Sequence, residues 1–314
     1  MDQLFTALSV LDSGLRDGLL LSICAVSVVI TLLAIDFPDL SITGVFPFGA
    51  AIAASLLANT PLPPALALCV VFCGGAAAGM ITGTLHVKLG MSKLLSGICV
   101  ATCLYSISLL VMGRSNISLG DVPTLLAPFE SVDAWFNASF SSARRLFLHP
   151  GTIGILAVAA ALAIAFASWL LTSEVGVVLR AIGANEKAIR HYRISAAWYK
   201  IVGVALASGL AATAGSLSAQ SQGFADVNMG VAVLVDALVA VVLGQEIFSR
   251  LHLSLDRPKS AVFAAVTGAL VYQILIAAVF AAGISPNALR FVSGAMLVLI
   301  VALRRRRTEV TFSW

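Results

Sequence analysis

Acidic side chains inside otherwise apolar sequence are the first residues of this chain that could do chemistry. Asp236 lies in the apolar stretch Leu234–Gly244, which contains no other charged residue. An unpaired carboxylate is costly in such surroundings and normally faces a partner or a wet cavity. We predict that Asp236 either contacts a solute or makes a structural hydrogen bond to a neighbouring helix, in a charged or a protonated form.

Four further polar residues interrupt apolar stretches in two pairs. Asp36 and Asp39 follow the first apolar stretch, and Asp226 and Asn228 follow a later one. Helix ends at such breaks expose backbone groups that could hold the amino and carboxylate ends of a zwitterion. Asp and Asn also cap helices routinely, so capping is the alternative role for each of the four.

Aromatic residues near these breaks could form an apolar wall for an aromatic solute. The candidates are Phe46, Phe48, Tyr105 and Phe224, and Gln222 lies in the same polar run as Phe224. We include Gln222 among the candidates for a solute pathway. The alternative for the aromatic residues is that they only pack in the interior.

The sequence contains neither the usual ATP-binding motif nor two common motifs of proteases and other hydrolases. There is no Gly-x-x-x-x-Gly-Lys-Ser/Thr phosphate loop, and neither His-Glu-x-x-His nor Gly-x-Ser-x-Gly occurs. We therefore expect no enzyme activity, and no metal or cofactor bound by this chain. If ATP and Mg²⁺ supply energy, a partner ATPase must bind them.

The composition indicates which elements position these residues. Of 314 residues, 60% are hydrophobic and 11% are charged, and the mean hydropathy is +1.01. A water-soluble core cannot hide so much apolar surface, whereas a membrane helix needs about 20 apolar residues. We predict a single transmembrane domain over residues 1–314, an all-α polytopic helix bundle with about eight to ten transmembrane helices, some of them discontinuous. The predicted spans are Gly18–Ile35, Phe46–Ala58, Pro64–Leu85, Leu94–Met112, Gly151–Leu171, Ala197–Ser218, Val231–Phe248, Ser260–Ala282 and Ala288–Leu303.

Lys and Arg in short loops orient these spans. The segment 172–196, the loop after Phe248 and the tail 304–314 are basic, so we place them in the cytoplasm and the segment 113–150 outside. The N-terminus then lies outside if Phe46–Ala58 crosses the membrane, which we favour. The net charge of +4 comes largely from Arg304–Arg307 and suits an anionic lipid surface, whereas no nucleic-acid binding is expected.

A short internal similarity links the two polar breaks. Phe37–Gly44 and Phe224–Gly230 share a Phe-x-Asp-aliphatic core and a closing Gly, and each follows one apolar span and precedes three more. With the predicted topology, the two copies run in opposite directions, as in an inverted repeat. A chance match is the alternative. A real repeat would bring the two breaks together near the middle of the membrane.

The basic segment 172–196 is longer than a simple connection needs, and it carries a recognisable pattern. Leu179-Arg180-Ala-Ile-Gly183-Ala-Asn185 followed by a short helical stretch resembles the coupling loop of the ribose and branched-chain amino acid class of ABC permeases. The resemblance implies that this loop docks in a groove of the ATPase. The residues implied to couple are Arg180, Gly183, Asn185, Glu186, Arg190 and Ile194.

Other stretches extend the resemblance from about residue 18 to residue 303. Asp36–Ala51, Thr82–His86, Leu104–Ser108, Met112–Ser118 and Gln220–Gly230 resemble the permease branch that works with tryptophan- or tyrosine-type binding proteins. Asp236 departs from that branch, because an Asp before Ala in this helix is closer to the sugar-type members.

The resemblance implies a multi-pass permease of the bacterial inner membrane and a set of partners. These are ABC ATPase subunits, a substrate-binding protein and a second permease copy in a homodimer. It implies an amino acid solute, aromatic in this branch, with a sugar or a nucleoside as the alternative. An ion-coupled secondary transporter and an intramembrane protease are the competing classes.

Overall fold

A computed structural model gives the fold of most of the chain. It describes residues 2–120, 122–140, 149–191, 195–253 and 257–283, together with residues 291, 293–296, 298 and 302. The basic tail 304–314 lies outside the described residues, and only scattered positions of the predicted span Ala288–Leu303 are described.

Helices dominate the described part of the chain, as the composition predicts. The α-helices are α1 (Asp2–Val28), α2 (Ile42–Asn59), α3 (Pro64–Leu89), α4 (Lys93–Met112), α5 (Ala127–Phe140), α6 (Pro150–Thr172), α7 (Glu174–His191), α8 (Ala196–Gln222), α9 (Val233–Arg250) and α10 (Pro258–Ala281). A π-helical segment, Val29–Ala34, continues α1 without a break. The hydroxyls of Ser27 and Thr31 donate to backbone carbonyls one turn back at this junction, a pattern that often bends helices.

Seven helices are long and apolar enough to cross a membrane in the described part of the chain. They are the continuous Ala7–Ala34 stretch of α1 with its π-helical segment, and α2, α3, α4, α6, α8 and α10. This confirms a polytopic helical membrane protein. The predicted short span Phe46–Ala58 lies in α2, which begins four residues earlier and reaches 18 residues. The predicted span Val231–Phe248 corresponds to α9, which is not among the seven and carries the charged residues Asp236, Glu246 and Arg250.

One short β-ladder departs from the expectation of helices alone. β1 (Asn116–Ser118) pairs antiparallel with β2 (Phe224–Asp226), and Ile117 lies opposite Ala225. Three-residue strands are too short to give an alternating pattern that a sequence could reveal. The ladder joins the segment after α4 to the segment after α8.

The ladder and α7 define two opposite faces of the bundle. We call the face that carries β1 and β2 the strand face, and the face where α6 ends and α8 begins the α7 face. The 27 residues of α8 connect the two faces and span about 40 Å at 1.5 Å per residue. Most of α8 is buried, so this helix lies at the centre of the chain.

Glycines lie where pairs of helices approach most closely. Gly14 and Gly18 of α1 lie against Ile274 and Leu270 of α10, so these helices run antiparallel. On the other side, Gly79 and Gly83 of α3 lie against Ser208 and Ile201 of α8, also antiparallel. The helices α1 and α8 each precede one of the two polar breaks. Each of them therefore packs on the second helix after the other break, as an inverted repeat would require.

The two polar breaks meet at Gly230, the closing glycine of the second break. Gly230 lies against the carbonyl of Thr43 and the ring of Pro47 at the start of α2. Asp39 and Asp226 are held by separate local bonds, since Asp39 accepts from the Ser41 N–H and Asp226 accepts from the Asn228 N–H.

We expect Gly215→Ala to destabilise the bundle by about 1–3 kcal/mol, because its Cβ would overlap the carbonyl oxygen of Phe46 where α2 crosses α8. The measurement is the melting temperature of the purified protein in detergent. Gly154→Ala in α6 is the matched control, since its Cβ would meet no atom within 4 Å. Equal melting temperatures for the two variants would contradict this packing.

Candidate functional site

A cavity of about 260 Å³ lies where α1, α2, α8, α9 and α10 converge. Its polar lining combines two carboxyl groups, two amides and a hydroxyl, contributed by Asp17, Ser218, Gln222, Asp236 and Gln273. Its apolar lining consists of Leu20, Leu21, Phe46, Met229 and Val233. The cavity is therefore polar on one part of its wall and apolar on another, as is usual for small-molecule sites.

Three of the ten residues predicted for a solute pathway line this cavity, namely Phe46, Gln222 and Asp236. Sequence reasoning did not select Asp17 or Gln273. Asp17 lies next to the first residue of the predicted first span, but α1 begins at Asp2 and carries Asp17 inside the helix. Gln273 follows Tyr272 in α10, and its polarity inside an apolar span was the available signal.

Asp236 makes the structural hydrogen bond that was one of its two predicted roles, and contact with a solute stays a prediction. The Tyr272 hydroxyl donates to Asp236 Oδ1 at 2.5 Å, so the carboxyl group is hydrogen-bonded to a neighbouring helix. The same hydroxyl lies 2.6 Å from Ser293 Oγ. Asp236 also lines the cavity. The bond to Tyr272 can therefore fix the carboxyl group at the cavity wall.

The two acids of the first break lie elsewhere. Asp36 adopts a left-handed φ of 52° and its exposed carboxylate accepts from Lys93 Nζ at 2.9 Å. Asp39 is buried, and its Oδ1 accepts from the Ser41 N–H at 2.8 Å just before α2 begins. Asp36 thus ties the turn between α1 and α2 to α4, and Asp39 bonds to the backbone just before α2, whose N-cap residue is Ser41.

The remaining candidates are distributed over the strand face and the bundle surface. Asp226 Oδ1 accepts from the exposed Asn228 backbone N–H at 2.7 Å within the turn after β2. Phe224 is partly exposed on β2, and Tyr105 is exposed on α4. Phe48 is half-buried in α2 and packs against the main core. Among the four aromatic candidates, the structure places Phe46 in the cavity wall and the other three outside it.

The predicted coupling segment forms α7, which is divided by a kink at Asn185. This residue is non-helical, with φ −157° and ψ 90°, so the chain changes direction there. Gly183 lies directly against the carbonyl of Ala34 at the end of the π-helical segment, and a side chain at this position would overlap it. Leu179 is fully buried and lies against Gly203 of α8.

An ion pair ties the part of α7 beyond the kink to α8. Lys200 Nζ donates to Glu186 Oε2 at 2.6 Å, and the Lys200 side chain is only 7% exposed. Arg180 is half-buried and lines a small pocket together with Leu171 and Pro258. Arg190 belongs to α7, but its side chain lies outside the described residues, as does the whole of Ile194.

Two helices connect α7 with the cavity. Ala34 ends the π-helical segment that continues α1 and contacts Gly183, and about midway along the same continuous helix Asp17 and Leu20 line the cavity. In α8, Lys200 holds Glu186 at the α7 face, and Gln222 lines the cavity near the strand face. A displacement of α7 can therefore reach the cavity through two continuous helices.

No three His, Cys, Asp or Glu side chains lie close enough to hold a metal ion within the described ranges. The described residues of the cavity wall also include no Lys or Arg.

Comparison with known proteins identifies a family over most of the chain. Residues 10–301 match the model of the branched-chain amino acid transport system permease component family. The chain is 32% identical over 295 residues to the tyrosine transport system permease protein of Clostridioides difficile strain R20291, covering 92% of this chain and 90% of that protein.

Two further relatives extend the comparison. An uncharacterized protein of Rickettsia prowazekii strain Madrid E is 28% identical over 302 residues, covering 96% of this chain and 99% of that protein. The galactose/methyl galactoside import permease protein MglC of Salmonella typhimurium is 25% identical over 249 residues, covering 77% and 67% of the two chains. No solved structure matches the chain.

We expect Glu186→Gln to loosen α7 beyond the kink, because it leaves the buried Lys200 ammonium without its charged partner. Hydrogen exchange should increase in the amides of residues 186–191 and at the start of α8, by an amount that corresponds to about 1–3 kcal/mol of local stability. Glu174→Gln, the same change at the exposed first residue of α7, is the control. Unchanged exchange in the Glu186 variant would mean that the ion pair does not hold α7.

Proposed function

This chain belongs to the family of branched-chain amino acid transport system permease components, and on that premise we propose that it transports an amino acid with an aromatic side chain. The family is that of the permease subunits of ABC importers. Such subunits are transport components rather than enzymes. The seven apolar helices and the family together make this chain a multi-pass protein of the bacterial inner membrane.

The wider machinery follows from the family. A permease of this class works with ABC ATPase subunits and a substrate-binding protein. We extend this to two copies of the chain in a homodimer, in contact with membrane lipid, with ATP and Mg²⁺ bound by the ATPase partner and no cofactor bound by this chain. The α7 face is then cytoplasmic, and the strand face receives the binding protein.

The cavity is the observation that carries the proposal for the solute. Phe46 and Met229 supply apolar surface for an aromatic ring, while Gln222 and Asp236 supply hydrogen-bonding groups. A relative named for tyrosine transport, 32% identical over nearly the whole chain, supports the same assignment.

A sugar is the second candidate. The galactose permease relative is 25% identical over 249 residues. The carboxyl and amide groups of the cavity wall could also bind the hydroxyls of a sugar. The apolar part of the wall and the higher identity to the tyrosine permease favour the amino acid.

The proposed mechanism is alternating access. Closure of the ATPase pair on ATP moves α7, because α7 is the element that the family docks in the ATPase groove. The contact between Gly183 and Ala34 transmits this motion to the α1 helix, and the Glu186–Lys200 ion pair transmits it to α8. Both helices line the cavity, so their motion opens the cavity to one face of the membrane and closes it to the other.

We expect labelled tyrosine uptake into proteoliposomes only when this chain, its ATPase and its loaded binding protein are all present with ATP. Each component is omitted in turn, and labelled galactose is the matched alternative solute. ATP-driven galactose uptake without tyrosine uptake would replace the amino acid by a sugar. Uptake by this chain alone under an ion gradient would contradict the importer mechanism.

We expect Gly183→Ala to reduce the stimulation of ATP hydrolysis by loaded binding protein at least tenfold, because the new Cβ would push α7 away from Ala34. The melting temperature of the membrane bundle should change little. Ala184→Ser, an exposed neighbour on the same turn, is the control. Normal stimulation in the Gly183 variant would show that this contact does not couple.

A further inference from the structure

The wall of the cavity carries acidic groups without basic ones. Asp17 enters from α1, where the positive charge of the neighbouring Arg16 acts on it, and Asp236 enters from α9. None of the described lining residues is Lys or Arg. A carboxylate in an apolar bundle normally faces a partner of opposite charge or water. Asp236 has no basic partner among the described lining residues, and the cavity is where a partner of opposite charge could bind it.

One of the two acids is held in position by the protein itself. Tyr272 Oη donates to Asp236 Oδ1 at 2.5 Å, and Tyr272 is almost fully buried. A carboxylate has about four acceptor positions, so it can accept further donors beyond this hydroxyl. A pre-positioned acceptor binds a ligand without losing the entropy of ordering its own side chain.

The other polar groups of the wall are neutral. Gln222 and Gln273 present amides, and Ser218 presents a hydroxyl that already accepts from Gln222 Nε2 at 3.2 Å. These groups can donate to a ligand carboxylate, but they carry no compensating charge. A hydrogen bond with one ionised member is stronger than a neutral one, so both charged ends of a zwitterion can be bonded here. Only the ammonium group would also be attracted by the acidic side chains of the wall, which would repel a ligand carboxylate.

Resting on the proposed function, we infer that the cavity recognises the ammonium group of its solute through Asp17 and Asp236, while any carboxylate of the solute meets neutral donors only. The solute class is therefore a small primary amine with an apolar group that lies against Phe46 and Met229. A volume of about 260 Å³ is below the roughly 300–1,000 Å³ of drug-sized sites, which suits a single amino acid or amine.

The test compares three probes with the same ring. Tyrosine carries both charged groups, tyramine lacks the carboxylate, and 3-(4-hydroxyphenyl)propionate lacks the ammonium group. Binding is measured calorimetrically on the intact permease–ATPase complex in nanodiscs, without the binding protein, so that the selectivity of the binding protein does not contribute. We expect tyramine to bind within tenfold of tyrosine and the propionate at least tenfold more weakly than tyramine.

Variants then locate the ammonium site. Asp17→Asn and Asp236→Asn should each weaken tyramine binding at least tenfold and leave propionate binding unchanged or stronger. Glu130→Gln, an exposed acid of α5 outside the cavity, should change neither. Two acid variants are used so that a folding defect in one, detected by gel filtration, still leaves the other as a test.

Several outcomes would overturn the inference. Propionate binding as tight as tyramine binding would do so, as would the absence of saturable tyramine binding by the unaltered complex. Unchanged tyramine binding in both Asp variants would also do so. If those variants also import tyrosine with unaltered kinetics, the ammonium site alone fails and the importer stands. A complex that imports galactose and binds neither amine would overturn the amino acid assignment as well.

Discussion

Direct contact between the backbone of α8 and those of α2 and α3 is the constraint on which the rest of the structure depends. In a bilayer, apolar side chains gain little by meeting each other rather than lipid, so close backbone approach supplies much of the helix association. Gly215 and Gly49 permit this approach between α8 and α2, and Gly79 permits it between α8 and α3. The position of α8 fixes both ends of the functional arrangement, since Lys200 binds α7 and Gln222 lines the cavity.

The helical membrane class, most span positions and the polar segment 172–196 between two spans were predicted from the sequence. These features depend on local composition and length, which a sequence records directly. It also selected Asp236, because one acid among apolar residues is conspicuous without any knowledge of the fold. Asp17 and Gln273 were not selected, because their importance arises from helices that meet only after folding, with α1 packed on α10. The β-ladder is likewise a long-range pairing of two segments more than 100 residues apart.

The candidate site illustrates why the two interpretations of a buried acid need not compete. The bond from Tyr272 satisfies one oxygen of Asp236, and this structural role holds the carboxyl group at a cavity wall. Asp39 shows the contrasting case, in which a buried acid accepts from the local backbone at the start of α2 and lies away from the cavity lining. Asp39 is buried and Asp236 is half-buried, so both acids are largely shielded from water. The distinction comes from the elements that surround each carboxyl group.

The ladder between β1 and β2 limits how the chain can change in length. Ile117 faces the interior between two exposed neighbours, and the Leu119 N–H donates to the carbonyl of Gly223. One inserted or deleted residue between Met112 and β1 would turn Ile117 outwards and Asn116 or Ser118 inwards, since strand side chains alternate. Among homologous chains, this short connection should therefore keep a constant length, although it lies at the surface, where loops usually vary most.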